Sequence, residues 1–369
     1  MLCFYGKVPL GRPKCRTAAL GMRQDMNEGQ QRVGALAEVP QLLRELGTDP
    51  AEVAAGVGLD VSVLHDPENS IPFTTAGRLL QAGATRTGCA HFGLLVGQRC
   101  DTRSLGLVGR LMRNARTWGR AVQDLVDNQH RYVRGGVPYL MVRGGMAWAG
   151  YAIYHQGIEG IDHFCDGAIA IGFNMMRELC GALPDEVLLS RRPPADIRPY
   201  RRLFRVPVHF DAEQSTLVFP AGLLERPVPG ADSRQREILE ASVTKYWAVA
   251  LPDATEQVVR ILRSRVLFGD STLDEVARCL TMHPRTLNRH LQSERTTFRE
   301  LLNEARFEVA RQLLAGTRIN ISGIAIALGY AETSAFSHAF HRMAGVSPVE
   351  WRAGSGPRRL AVEAQIGQS

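Results

Sequence analysis

Lysine is almost missing from this 369-residue chain. Lys7, Lys14 and Lys245 are the only three, so arginine supplies nearly all of the 44 basic residues. Arginine's planar fork suits bidentate contact with phosphate and guanine, although genome base composition alone can produce the same bias. Also missing is any apolar run approaching the ~18 residues that a membrane span needs, so no membrane partner is expected. No CxxC pair occurs among Cys3, Cys15, Cys89, Cys100, Cys165, Cys180 and Cys279, and their number is odd. That pattern gives neither a disulfide framework nor a zinc site, and reduced, mostly buried thiols are the expectation. The first twenty-one residues carry basic groups, but Gly6, Pro9, Gly11 and Pro13 break their apolar pieces. Such a stretch is a poor signal-peptide core, which predicts a cytoplasmic location.

What is present is ordinary for a globular protein, with 45% hydrophobic and 22% charged residues and length for two domains. The net charge of +7 is uneven. Residues 1–35 hold six basic against two acidic groups, and residues 255–352 hold thirteen against ten. This balance permits a nucleic-acid partner without establishing one.

Residues 1–35 lack apolar periodicity and are expected to form a flexible tail. Helical spacing follows from about residue 40 to 125, as in Leu42, Leu43 and Leu46, then Ala76, Leu79 and Leu80. The period shifts towards two over residues 137–142 and 148–154, separated by Arg143-Gly144-Gly145, which predicts a hairpin. A helix is expected over 161–179, and further strands over 186–189, 206–210 and 216–219. Residues 36–230 are therefore expected to be one α+β sensor or dimerisation domain. A connecting helix over 231–252, an all-α domain over 253–352 and a tail over 353–369 complete the chain.

The all-α domain repeats one pattern twice: a short helix, a tight turn and a second helix. In the first copy Thr272 and Glu275 have the spacing of a capping box. Leu273, Val276, Ala277 and Leu280 form an inner face, with a small residue where two helices must cross closely. Pro284 suits the first position of the next helix, where His283 is the cap. Leu287 and Leu291 face inward, and Arg285, Thr286, Asn288 and Arg289 face out as candidate DNA contacts. Arginine can read guanine and asparagine can read adenine in the major groove. In the second copy Asn320 caps, Gly329 stops the helix in a left-handed conformation, and residues 332–343 form the second recognition helix. Phe336 and Phe340 point to the core, leaving Thr333, Ser334, Ser337, His338 and Arg342 for DNA. A linker helix of ~17 residues between the copies spans ~25 Å, the scale that places two helices in successive major grooves.

The stretches Ile324-Ala325-Ile326-Ala327-Leu328-Gly329-Tyr330, Ser334-Ala335-Phe336-Ser337, Gly345-Val346-Ser347-Pro348 and Trp351-Arg352 resemble the signature of the AraC/XylS family. The N-terminal half resembles the ligand-sensing half of the subgroup with an ornithine-utilisation-regulator-like domain. The stretches that carry this are Leu42 to Gly47, Phe92-Gly93-Leu94-Leu95-Val96-Gly97 and Tyr200-Arg201-Arg202-Leu203-Phe204. The resemblance implies a regulator that binds promoter DNA, answers a small-molecule effector, forms a homodimer and activates transcription by contacting RNA polymerase. It implies no enzyme activity, cofactor or metal. The family's founding member senses its sugar in a cupin barrel, and the helix-rich pattern here argues against that fold. Departures from the family pattern are His283 in place of serine, Arg295 where glycine is common, Gly323 for an acidic residue and His338 for arginine.

Trp148, Tyr151, Tyr154 and His155 are an aromatic candidate for an effector pocket. His163, Cys165 and Asp166 superficially suggest a metal or nucleophile but lack partners at ligand spacing. The Arg191-Arg192 and Arg198/Arg201/Arg202 groups are expected on a solvated face. Two other functions remain open: an N-terminal half that only dimerises, and a methyl-accepting DNA-repair enzyme. The second requires a Pro-Cys acceptor motif that the sequence does not contain.

Overall fold

The structure, a computed structural model, describes residues 29–129, 133, 135–153, 158–248, 254–266, 271–280, 282–317 and 319–355. Gln30–Arg32 (β1) pairs antiparallel with Ser70–Pro72 (β2). This corrects the expected tail, because residues 30–35 are part of the domain. Arg32 is 5% exposed, ion-paired to Glu68 and donating to the Ser104 carbonyl at 2.7 Å. A strand of three residues is too short to display a period of two, so the pattern did not reveal it.

Helices Val39–Glu45 (α1), Pro50–Gly56 (α2), Phe73–Thr87 (α3), Phe92–Gln98 (α4), Gly106–Arg113 (α5) and Trp118–Gln129 (α6) build the first layer. Asp49 caps α2 by accepting from the Ala51 N–H at 3.0 Å, with Pro50 at the first helical position. The hairpin Gly136–Arg143 (β3) and Met146–Ile153 (β4) turns at Gly144 and Gly145, whose φ values of 57° and 79° suit a two-residue turn. Ile161–Cys180 (α7), Glu186–Leu188 (β5), Arg198–Phe204 (α8), Val208–His209 (β6) and Thr216–Pro220 (β7) complete the domain. The sheet order is β3-β4-β7-β5-β6, antiparallel except for the β5–β6 pair.

Helices α4 and α7 cross with almost no space between them. A Cβ on Gly93 would sit 2.1 Å from the His163 carbonyl, and one on Gly97 would sit 2.3 Å from that of Gly167. The glycines in Phe92-Gly93-Leu94-Leu95-Val96-Gly97 are thus a packing requirement.

Alternation assigns each face of the hairpin a different partner. Leu140, Ala147 and Leu217 pack with α6 and α7 in one core. Val137, Tyr139, Met141 and Ala152 belong to the core of the C-terminal half. Ser233–Ala248 (α9) then lies along the first domain, where Arg236 makes a bidentate pair with buried Asp124 at 2.8 and 3.0 Å. The C-terminal helices are Ala254–Arg265 (α10), Leu273–Cys279 (α11), Pro284–Ser293 (α12), Phe298–Gly316 (α13), Ile321–Ala327 (α14), Thr333–Ala344 (α15) and Pro348–Ser355 (α16). Helix α13 rests against β4, so the hairpin is the wall the two halves share. Among the described residues no helix is long and apolar enough to cross a membrane.

Candidate nucleic-acid interface and sensor cavity

The first module is fixed by local chemistry. The Thr272 hydroxyl accepts from the Glu275 N–H at 3.3 Å and the Glu275 carboxylate accepts from the Thr272 N–H at 3.2 Å, closing a capping box on α11. Fully buried Ala277 lets α11 and α12 approach. His283 starts α12: its Nδ1 accepts from the Arg285 N–H at 3.2 Å. Leu287 and Leu291 are buried, Arg285 and Arg289 exposed, and Thr286 and Asn288 half-buried. At the far end of α12, Glu294 accepts from the N–H groups of Ala254 and Thr255 at 3.1 and 2.8 Å, capping α10. That long-range cap has no sequence signal. Arg295 follows with φ of 60°, the left-handed region that glycine occupies without strain.

The second module is held differently. Asn320 caps α14 through the Gly323 N–H at 2.7 Å, and Gly329 ends it with φ of 74°. Phe340 stands 5.1 Å from Phe307 and 5.9 Å from Trp351, centroid to centroid. Arg306 lies 5.2 Å over Tyr330 and Arg311 lies 5.0 Å over Trp351, so two arginines are taken up by aromatic faces. On α15, Ser334, His338 and Arg342 are exposed while Thr333 and Ser337 are half-buried. The Ser337 hydroxyl donates to the Thr333 carbonyl at 2.9 Å, so its proton stays within the helix. Glu332 provides no side-chain cap for α15. The expected box of Ser347 and Glu350 forms, at 2.8 and 3.2 Å. Arg352 is structural: it donates to the Ile319 carbonyl at 2.6 Å.

Helix α13 joins the modules. A box of Thr297 and Glu300 starts it, and its 19 residues span ~28 Å. No ion pair among the described residues engages Arg285, Arg289 or Arg342. Their guanidinium groups are available to an outside anion.

Two adjoining chambers open in the first domain, of about 120 and 110 Å³. Leu105, Tyr151, Ala168 and Ile171 line both and form the divide. Arg32, Ser104 and His163 border the first chamber. Burial pushes the His163 imidazole down to about 4, so it is neutral at pH 7, and its Nδ1 accepts from the Gly93 N–H at 3.4 Å. The second chamber is lined by Met112, Trp118, Leu125, Ala149, Gly172 and Leu217, among others.

These chambers revise the aromatic candidate. Trp148 and Tyr151 are three positions apart on β4, so they face opposite sides of the sheet, and only Tyr151 borders the chambers. Tyr154 and His155 lie outside the described residues. Sequence reasoning missed Trp118 and Leu105, which reach the cavity from helical segments far from β4.

The arginine groups also separate. Arg191 is not on a solvated face: it pairs with buried Asp166, which also accepts from the Tyr200 hydroxyl at 2.6 Å. Burial nevertheless pushes the Asp166 carboxyl up to about 6, against the pull of Arg191. Arg201 and Arg202 are exposed, and Arg198 is paired with Asp196 at 2.9 Å. Burial pushes the Cys165 thiol up to about 12, which removes the thiolate that a nucleophile needs. Among the described residues no group of three His, Cys, Asp or Glu side chains is placed to hold a metal.

The sequence model described as "Arabinose-binding domain of AraC transcription regulator, N-term" matches residues 47–228, and that of a "Helix-turn-helix domain" matches residues 276–354. A helix-turn-helix-type transcriptional regulator of Mycobacterium tuberculosis is 29% identical over 335 residues, covering 84% of this chain and 93% of that one. The ornithine utilization regulator of Pseudomonas aeruginosa is 27% identical over 321 residues, 84% of this chain and 93% of that one. The crystal structure of the transcriptional regulator CdpR from Pseudomonas aeruginosa aligns at 26% identity over 71% of this chain and 86% of that chain, with a TM-score of 0.38.

Proposed function

Since this chain belongs to the AraC family of DNA-binding, effector-responsive transcription regulators, we propose that it reads a promoter with α12 and places α15 against the adjacent groove. The observation that carries this is the pair of exposed helices joined by one ~28 Å helix, with no ion pair among the described residues engaging Arg285, Arg289 or Arg342. Arg285, Thr286, Asn288 and Arg289 are assigned to base edges. Thr333, Ser334, Ser337, His338 and Arg342 are assigned mainly to backbone positioning.

The protein acts as a cytoplasmic, non-enzymatic activator that contacts RNA polymerase and pairs as a homodimer. A small molecule enters the chambers of the first domain. Its effect passes through the β3–β4 hairpin, since α13 leans on the other side of that wall and a shift there changes the spacing of the two modules. The chambers favour this over a first domain that serves dimerisation alone.

Genome-wide occupancy locates the operator, and gel-shift titration then tests the assignment. Arg289→Ala is expected to weaken operator binding by about 1–3 kcal/mol while leaving random DNA nearly unaffected. An equal loss on both would remove Arg289 from the base-reading set.

A further inference from the structure

The second chamber has an unusual lining. None of its lining residues is charged, and the polar ones are Trp118, Tyr139 and Tyr151, of which Tyr139 turns its side chain to the core of the C-terminal half. The Tyr139 hydroxyl is satisfied by Gln214 at 2.9 Å and lies near the Ser215 carbonyl at 3.3 Å. Trp118 is 2% exposed, and its indole Nε1 is buried with no hydrogen-bond partner.

We infer that this chamber is the recognition site for an uncharged, mainly apolar effector. The inference rests on the first domain being the sensor. An apolar cavity of ~150 Å³ stays dry and accepts a benzene-sized molecule, so each chamber here suits a group of about ring size. A free sugar is a poor occupant, because its several hydroxyls would meet an uncharged, mostly apolar lining in the second chamber. A carboxylate is a poor occupant too. No cation lines the second chamber, and Arg32 in the first is already held by Glu68 and the Ser104 carbonyl. The class named by the matched domain, an arabinose binder, therefore does not describe this cavity.

Ethylbenzene is an uncharged probe of ring size. Ligand-observed NMR titration on the purified full-length protein should show it binding, with benzoate and L-arabinose at least tenfold weaker. Gly172→Leu should abolish ethylbenzene binding, because a Cβ there meets only Leu217 Cδ1 at an ordinary 3.5 Å and the longer side chain grows into the space. That substitution also improves helix propensity. Equal or tighter binding of benzoate or arabinose, undiminished binding to the Gly172→Leu protein, or no binding of any probe would each overturn the inference. Operator gel shifts on the same preparation keep the questions apart: intact DNA binding with no probe bound refutes the chamber and spares the regulator.

Discussion

The two helix-turn-helix modules share a topology but are stabilised by different means. The first has an aliphatic centre at Val276, Leu287 and Leu291, and its arginines face outward. The second has an aromatic centre at Phe307, Phe336, Phe340 and Trp351, and Arg306 and Arg311 lie on its rings. Arginine in the first is turned to solvent; in the second, Arg306, Arg311 and Arg352 serve the module itself. The difference teaches that a duplicated unit can divide labour, one copy equipped to read and the other to hold its place.

The largest test of this asymmetry is Phe340→Ala, expected to cost about 3–5 kcal/mol of stability in denaturant unfolding. It should exceed Leu287→Ala by about 1 kcal/mol, the increment that ring pairing adds beyond burial. Equal losses would mean the aromatic centre confers nothing special. Next is Arg342→Ala: about a tenfold loss of affinity on operator and random DNA alike, with the salt slope reduced by about 1. A loss confined to the operator would make the second module a reader after all. Arg295→Gly relieves the left-handed backbone and should raise stability by about 1 kcal/mol. No change in the unfolding midpoint would show that this turn is unstrained. The smallest effect is at the His283 cap. His283→Ala should cost about 0.5–1 kcal/mol. His283→Asp keeps a cap, so an equal loss in both variants would dismiss this account.

The modules were legible because their signals are local. Capping boxes use a three-residue spacing, Gly329 sits at the end of an apolar period, and Arg295 occupies a glycine-like position whose φ is positive. The α+β character of the first domain was legible for the same reason: its hairpin and the long helix α7 each show a clear period. The rest depended on distance along the chain. Arg191 finds Asp166 twenty-five positions away, and Glu294 caps a helix that begins forty positions earlier. The chamber gathers Leu105, Trp118, Ala149 and Leu217 from four separate elements, and no periodicity encodes an empty space. The aromatic candidate failed through a rule that was available: alternation along one strand separates Trp148 from Tyr151.

The hairpin β3–β4 is a single sheet thick, with the chamber on one side and the DNA-binding core on the other. Such a partition works in both directions. If an occupant of the chamber changes promoter affinity by some factor, the promoter changes the occupant's affinity by the same factor. Operator DNA is then itself an effector of the sensor. Where the occupant strengthens promoter binding, the cell's pool of the small molecule is held more tightly by the few copies of the protein already seated at their promoters than by those free in solution.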